Sequence, residues 1–87
     1  MTQENEVEIG RVDEYFAHIG VAGIALAGPL SVGDRIRVRG HTTDLEQTVE
    51  SIQIEHDSVP EAKAGDRIGV KVNERCRGGD HVYRVGA

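Results

Sequence analysis

With 87 residues, 10 basic and 15 acidic side chains and a formal net charge of −5, the chain is one small acidic domain. The charge argues against binding nucleic acid chiefly by neutralising phosphates, which takes a basic protein. A single cysteine, Cys76, excludes an internal disulfide and a multi-cysteine zinc site, and the longest apolar run, Ile19–Leu30, is broken by Gly20, Gly23, Gly28 and Pro29 and is too short to span a bilayer.

Residues 1–6 are polar and are expected to be a disordered end, with a single domain over 7–87. Glu4, Glu6 and Glu8 rule out a signal or transit peptide, so a soluble, cytoplasmic protein without a membrane partner is expected. Val7 and Ile9 begin a first strand that Tyr15 and Phe16 extend towards His18. Gly20 marks a turn. Val21–Ala27 reads as a second strand, with Gly23 as a bulge or close-packing point. Gly28-Pro29-Leu30-Ser31 is a turn leading into Val32-Gly33-Asp34-Arg35-Ile36-Arg37-Val38.

That stretch is a tight turn followed at once by a strand. Gly33 supplies the turn and Asp34 hydrogen-bonds back onto it, while Ile36 and Val38 share one face opposite Arg35, Arg37 and Arg39. The unit recurs as Ala64-Gly65-Asp66-Arg67-Ile68-Gly69-Val70, and more faintly as Gly79-Asp80-His81-Val82-Tyr83. Between the first two copies, residues 43–56 are ambiguous. Thr43–Glu46 fits a helix capping box, and Leu45, Val49 and Ile52 have helical spacing; Ile52 and Ile54 alternate as in a strand. The strand-rich surroundings favour strand. Asp57-Ser58-Val59-Pro60 reads as a turn, Glu61–Ala64 as a connector of about one helical turn, Asn73–Gly79 as a charged loop, and His81–Val85 as a last strand able to pair with the first. Eleven Val and seven Ile support an all-β class.

These residues resemble the second domain of the translational GTPases, the β-barrel of elongation factor Tu and its relatives. The likeness runs from about Val7 to Val85 and is carried by Gly28–Ile36 and Ala64–Val70. It implies a small, closed, antiparallel six-stranded barrel of Greek-key type. In that family the barrel follows a nucleotide-binding domain and contacts ribosomal RNA. Here no G-x-x-x-x-G-K-[ST] loop occurs, and Asp66-Arg67-Ile68-Gly69 matches the D-x-x-G string by chance, so the chain reads as a free-standing barrel that binds no nucleotide. Similar barrels are also appended to larger enzymes.

Charge is unevenly spread. Residues 31–43 carry three bases and one acid, 63–84 six bases and three acids, and 44–61 six acids and no base. Arg35, Arg37 and Arg39 on one side of a strand form the best candidate surface for RNA or a protein partner, and Lys71, Arg75 and Arg77 extend it. The alternative is a solvated face answered by acids such as Glu50 or Glu55. His18, His41, His56 and His81 lack metal spacing. His56-Asp57 has the form of an oriented base, but no nucleophile stands beside it. Cys76 between Arg75 and Arg77 favours a thiolate if exposed, and is otherwise structural. No catalytic residue, metal or cofactor is expected. The leading expectation is a non-enzymatic translation-type barrel binding RNA or a ribosomal partner through the arginines. The alternative is a protein-interaction adapter or an accessory module of a larger enzyme, with no RNA binding.

Overall fold

In the computed structural model, which describes residues 6–86, the three glycine-aspartate corners adopt one and the same geometry. Gly33, Gly65 and Gly79 have φ of 98, 95 and 96°, where a side chain is strained and glycine is not. Each aspartate donates its backbone N–H to the carbonyl three residues back: Asp34 to Ser31, Asp66 to Lys63 and Asp80 to Arg77, at 3.0, 3.0 and 3.1 Å. Each carboxylate in turn accepts the N–H of that same residue, at 2.9, 3.0 and 2.8 Å. Each corner also grips one core residue by two backbone hydrogen bonds. Gly33 donates to Val49 and Asp34 accepts from it; Gly65 and Asp66 hold Leu26 in this way, and Gly79 and Asp80 hold Val12. The fainter third copy is therefore a full equivalent of the other two.

The corners connect ten strands among the described residues: β1 (Glu6–Phe16), β2 (Val21–Leu26), β3 (Leu30–Ser31), β4 (Arg35–Arg39), β5 (Asp44–Thr48), β6 (Ile52–Ile54), β7 (Asp57–Val59), β8 (Glu61–Ala62), β9 (Arg67–Lys71) and β10 (His81–Val85). Eight form one antiparallel sheet in the order β5-β4-β10-β1-β2-β9-β6-β7, and β3 pairs with β8 as a separate ribbon. The all-β antiparallel expectation holds, and β10 does pair with β1. The closed six-stranded barrel does not hold. β5 and β7 end the ladder without pairing to each other among the described residues. Residues 1–5 lie outside the described residues, and β1 takes in Glu6. Among the described residues no helix is long and apolar enough to cross a membrane.

The sheet nevertheless curls around one aliphatic core. Register shifts between Glu8 and Gly10 and between Val12 and Glu14 bend β1, because a bulge adds a residue to one strand and increases local twist. Ile9, Ile24, Ile36, Val38, Ile52, Val70 and Val82 are fully buried inside the curl. Burial of each such side chain stabilises the fold by about 1.5–3 kcal/mol. The curl brings β5 back towards the end of β9, and a side chain bridges the gap. The Gln47 amide donates from Nε2 to the Lys71 carbonyl and accepts the Asn73 N–H at Oε1, both at 2.8 Å.

Gln47 also explains the ambiguity of residues 43–56. Leu45, Gln47 and Val49 alternate inward, so the segment is extended rather than helical, but it divides into β5 and β6 instead of forming one long strand, and the middle inward residue is polar. What remains visible in the sequence, Leu45 and Val49, sits four apart and mimics a helix. Two further expectations shift. Asp57–Val59 is strand β7 rather than a turn; the turn falls at Glu55 and His56, which take φ of 50 and 72° in a two-residue hairpin. Glu61 and Ala62 are strand β8 rather than part of a helical turn, because Ala62 is drawn inward opposite Leu30.

Candidate functional site

The three arginines of β4 stand in one outward row, and every one of them is already engaged. Cross-strand register places Arg35, Arg37 and Arg39 opposite Thr48, Glu46 and Asp44 of β5. Arg35 Nε donates to Glu46 at 2.9 Å. Arg37 donates to both carboxylate oxygens of Asp44, at 2.9 and 3.1 Å, and to Glu6 at 3.2 Å. Arg39 donates to Glu6 at 2.8 Å and lies over the Tyr83 ring, 5.4 Å from its centre. The acids that answer the stripe are thus Glu6, Asp44 and Glu46, not Glu50 or Glu55. The hydrogen bond from Arg39 holds the Glu6 carboxyl below its usual range, and that from Arg37 does the same for Asp44. Hydrogen bonding to Asp44 raises the Arg37 guanidinium in turn. The outer face of β5, β4, β10 and β1 therefore runs acid, base, aromatic, acid, and neutralises itself. On its β10–β1 side, His81 Nδ1 lies 2.5 Å from Glu8.

Lys71, Arg75 and Arg77 do not lengthen this row. Lys71 is on β9, separated from β4 by β10, β1 and β2 in the ladder. Arg75 and Arg77 are exposed in the loop before β10, beside Asp13, Glu14 and Tyr15. Cys76 between them points inward and is 2% exposed. Burial pushes its thiol up to about 11, with Asp80 and Glu74 adding to the effect, so it is not an activated nucleophile. Among the described residues no three His, Cys, Asp or Glu side chains are grouped to hold a metal ion. His18, His41 and His56 are exposed.

A cleft of about 350 Å³ on the outer face of β1, β2, β9 and the β6–β7 hairpin has no counterpart in the sequence reading. Gly23 and Gly69 pair directly across β2 and β9, so the middle of this face carries no side chain. Phe16, Ile19 and Val21 wall one side, with Phe16 36% and Ile19 55% exposed. Glu55 and His56, the two residues with left-handed backbone, stand at the opposite rim with Gln53. Asp13 and Arg67 form an ion pair at one end. No Ser, Thr or Cys lines the cleft, so His56 has no nucleophile to activate there. The sequence signal was the glycine in each of two strands, but only the register shows that they meet.

Comparison with known proteins changes the family expected from the corners. No family model matches the chain. Over 79 residues, 90% of its length, it is 46% identical to a protein of Methanocaldococcus jannaschii named an uncharacterized protease. Over 81 residues, 91% of its length, it is 37% identical to a protein of Porphyromonas gingivalis named collagenase. The chain spans about a fifth of the length of these curated relatives, 19 and 20% respectively. Among solved structures it superposes on the C-terminal domain of a protein of Geobacillus thermoleovorans described as a U32 peptidase. The TM-score is 0.86 at 18% identity, covering 99% of this chain and 98% of that one. A selenomethionine variant of the same domain gives 0.83 at 19%. These matches overturn the resemblance to the elongation factor Tu barrel, and with it the RNA-binding, ribosomal reading of the chain. The shared feature was turn chemistry, which any tightly curled small sheet can use.

Proposed function

We propose that the chain is a non-catalytic accessory module that docks to a peptidase-type catalytic region and does no hydrolysis itself. What carries this reading is the coverage of the matches. Nine-tenths of this chain aligns to about a fifth of proteins named protease and collagenase, and the matching solved structure is a C-terminal domain. The chemistry of the side chains supports the same reading. The arginine row is neutralised within the fold, Cys76 is buried with its thiol held protonated, and the cleft lining has no Ser, Thr or Cys. A cytoplasmic setting belongs to this proposal and fits an unpaired, buried cysteine.

The test uses the Methanocaldococcus protein with the segment matching this chain deleted. The expected result is that the 87-residue chain, added in trans, comigrates with the truncated protein on size exclusion and alters its turnover of gelatin. The chain alone is expected to leave gelatin intact. Absence of both comigration and any change in turnover would refute docking. Hydrolysis by the chain alone that disappears in Cys76→Ser would refute the non-catalytic assignment.

A further inference from the structure

We infer that the cleft floored by Gly23 and Gly69 is a docking slot for an arginine or lysine side chain presented by a segment of a partner protein. The floor is bare because two glycines meet in register on adjacent strands. A Cβ at Gly23 would stand beside the Phe16 ring at 3.6 Å, and one at Gly69 beside Val21 at 3.3 Å, so any side chain there would occupy the slot. The walls are apolar, with Phe16 36% and Ile19 55% exposed.

The rim is acidic. Asp13 is taken up by Arg67, whereas Glu14 and Glu55 have no ion-pair partner among the described residues. A floor free of side chains, apolar walls and two unanswered carboxylates complement a long aliphatic stem ending in a cation. The rim also retains backbone strain at Glu55 and His56, where Asn-Gly would form the same hairpin without it. The outer face of β4 and β5 offers no comparable vacancy, because its charges are matched to one another. This inference rests on the docking role proposed above and names the chemistry of the contact.

The experiment titrates the ¹⁵N-labelled chain, followed by amide NMR, with four capped tripeptides: alanine-arginine-alanine, alanine-lysine-alanine, alanine-glutamate-alanine and trialanine. The expected result is saturable movement of the Gly23 and Gly69 signals with the two basic peptides alone. Gly23→Leu fills the slot from a position where its Cβ makes only ordinary contacts, at 3.5 and 3.6 Å. The double substitution Glu14→Gln, Glu55→Gln removes the rim charge and keeps the shape. Each is expected to weaken basic-peptide binding at least about tenfold. Equal movement with the glutamate peptide, no movement with the basic peptides, or unchanged binding in the charge variant overturns the inference. Should Gly23→Leu lose its dispersed spectrum, the charge variant alone decides. Because no catalytic region is present, a negative result removes the slot and leaves the docking test standing.

Discussion

Gln47→Met should cost the protein a disproportionate part of its stability, because one amide stands where the curled sheet lacks a backbone ladder. Gln47 is 5% exposed and makes two hydrogen bonds of 2.8 Å, one to the Lys71 carbonyl and one from the Asn73 N–H. Each bond contributes about 1 kcal/mol net, and stranding one of the two backbone groups away from water costs about 1 kcal/mol more. Methionine conserves the volume, so packing changes little. The expected loss is about 3 kcal/mol. For a domain of this size that corresponds to a fall in Tm of roughly 12–24 °C. Urea denaturation followed by circular dichroism measures it, with the exposed Gln53→Met of β6 as a control expected to stay within about 0.5 kcal/mol of the parent. Native-state hydrogen exchange at Asn73 should accelerate in Gln47→Met. A loss below about 0.5 kcal/mol with unchanged exchange at Asn73 would mean that the core alone holds the curl.

Gly65→Ala should destabilise by about 1–2 kcal/mol through backbone strain alone, since φ is 95° and nothing lies within 4 Å of the added Cβ; a neutral substitution in thermal melts would show that the corner relaxes without penalty. Stability should fall on acidification. Glu6 and Asp44 have their folded pKa depressed by Arg39 and Arg37, so their contribution is complete above the ordinary carboxylate range near about 4 and disappears as pH drops through the depressed folded values. Glu6→Gln with Asp44→Asn should therefore lower Tm at neutral pH and flatten its dependence on pH in the acid range, and parallel pH curves for parent and variant would contradict the pairing. Cys76 should resist an aromatic disulfide reagent at pH 8 in the native state and react at once in urea; equal rates would contradict its burial and raised pKa.

Which of these features the sequence discloses depends on how far apart their parts lie. A glycine-aspartate corner is complete within four residues, so its turn and its carboxylate bond are visible in the string Ser31–Asp34 before any fold is known. The alternation of Ile36 with Val38 and of Ile68 with Val70 is equally local, and all four are buried as their spacing implies. The partner of Arg37 is different in kind. Asp44 lies across a hairpin and Glu6 comes from β1, two strands away, so the sequence shows three arginines and withholds the acids that neutralise them. Gln47 is hidden for a related reason: a polar residue at an inward position erases the alternation that would have marked β5. At Glu55-His56 the sequence misleads, since Glu55 does not favour a left-handed backbone and the next four residues, Asp57–Pro60, carry ordinary turn chemistry.

The same distinction explains why the most conspicuous motif pointed to the wrong family. The polar groups that define a corner are used inside the fold. The aspartate carboxylate accepts a neighbouring N–H, and the backbone of the glycine-aspartate pair holds a core residue: Val49, Leu26 or Val12. Recurrence of the motif therefore reports how a short chain turns back onto a curled sheet and is silent about partners. The cleft has the opposite character. Its floor is defined by two absent side chains brought together by strand register, and its rim carries Glu14 and Glu55, which have no ion-pair partner among the described residues. In this architecture the residues that specify shape satisfy one another, and binding capacity resides in those that the shape leaves unsatisfied.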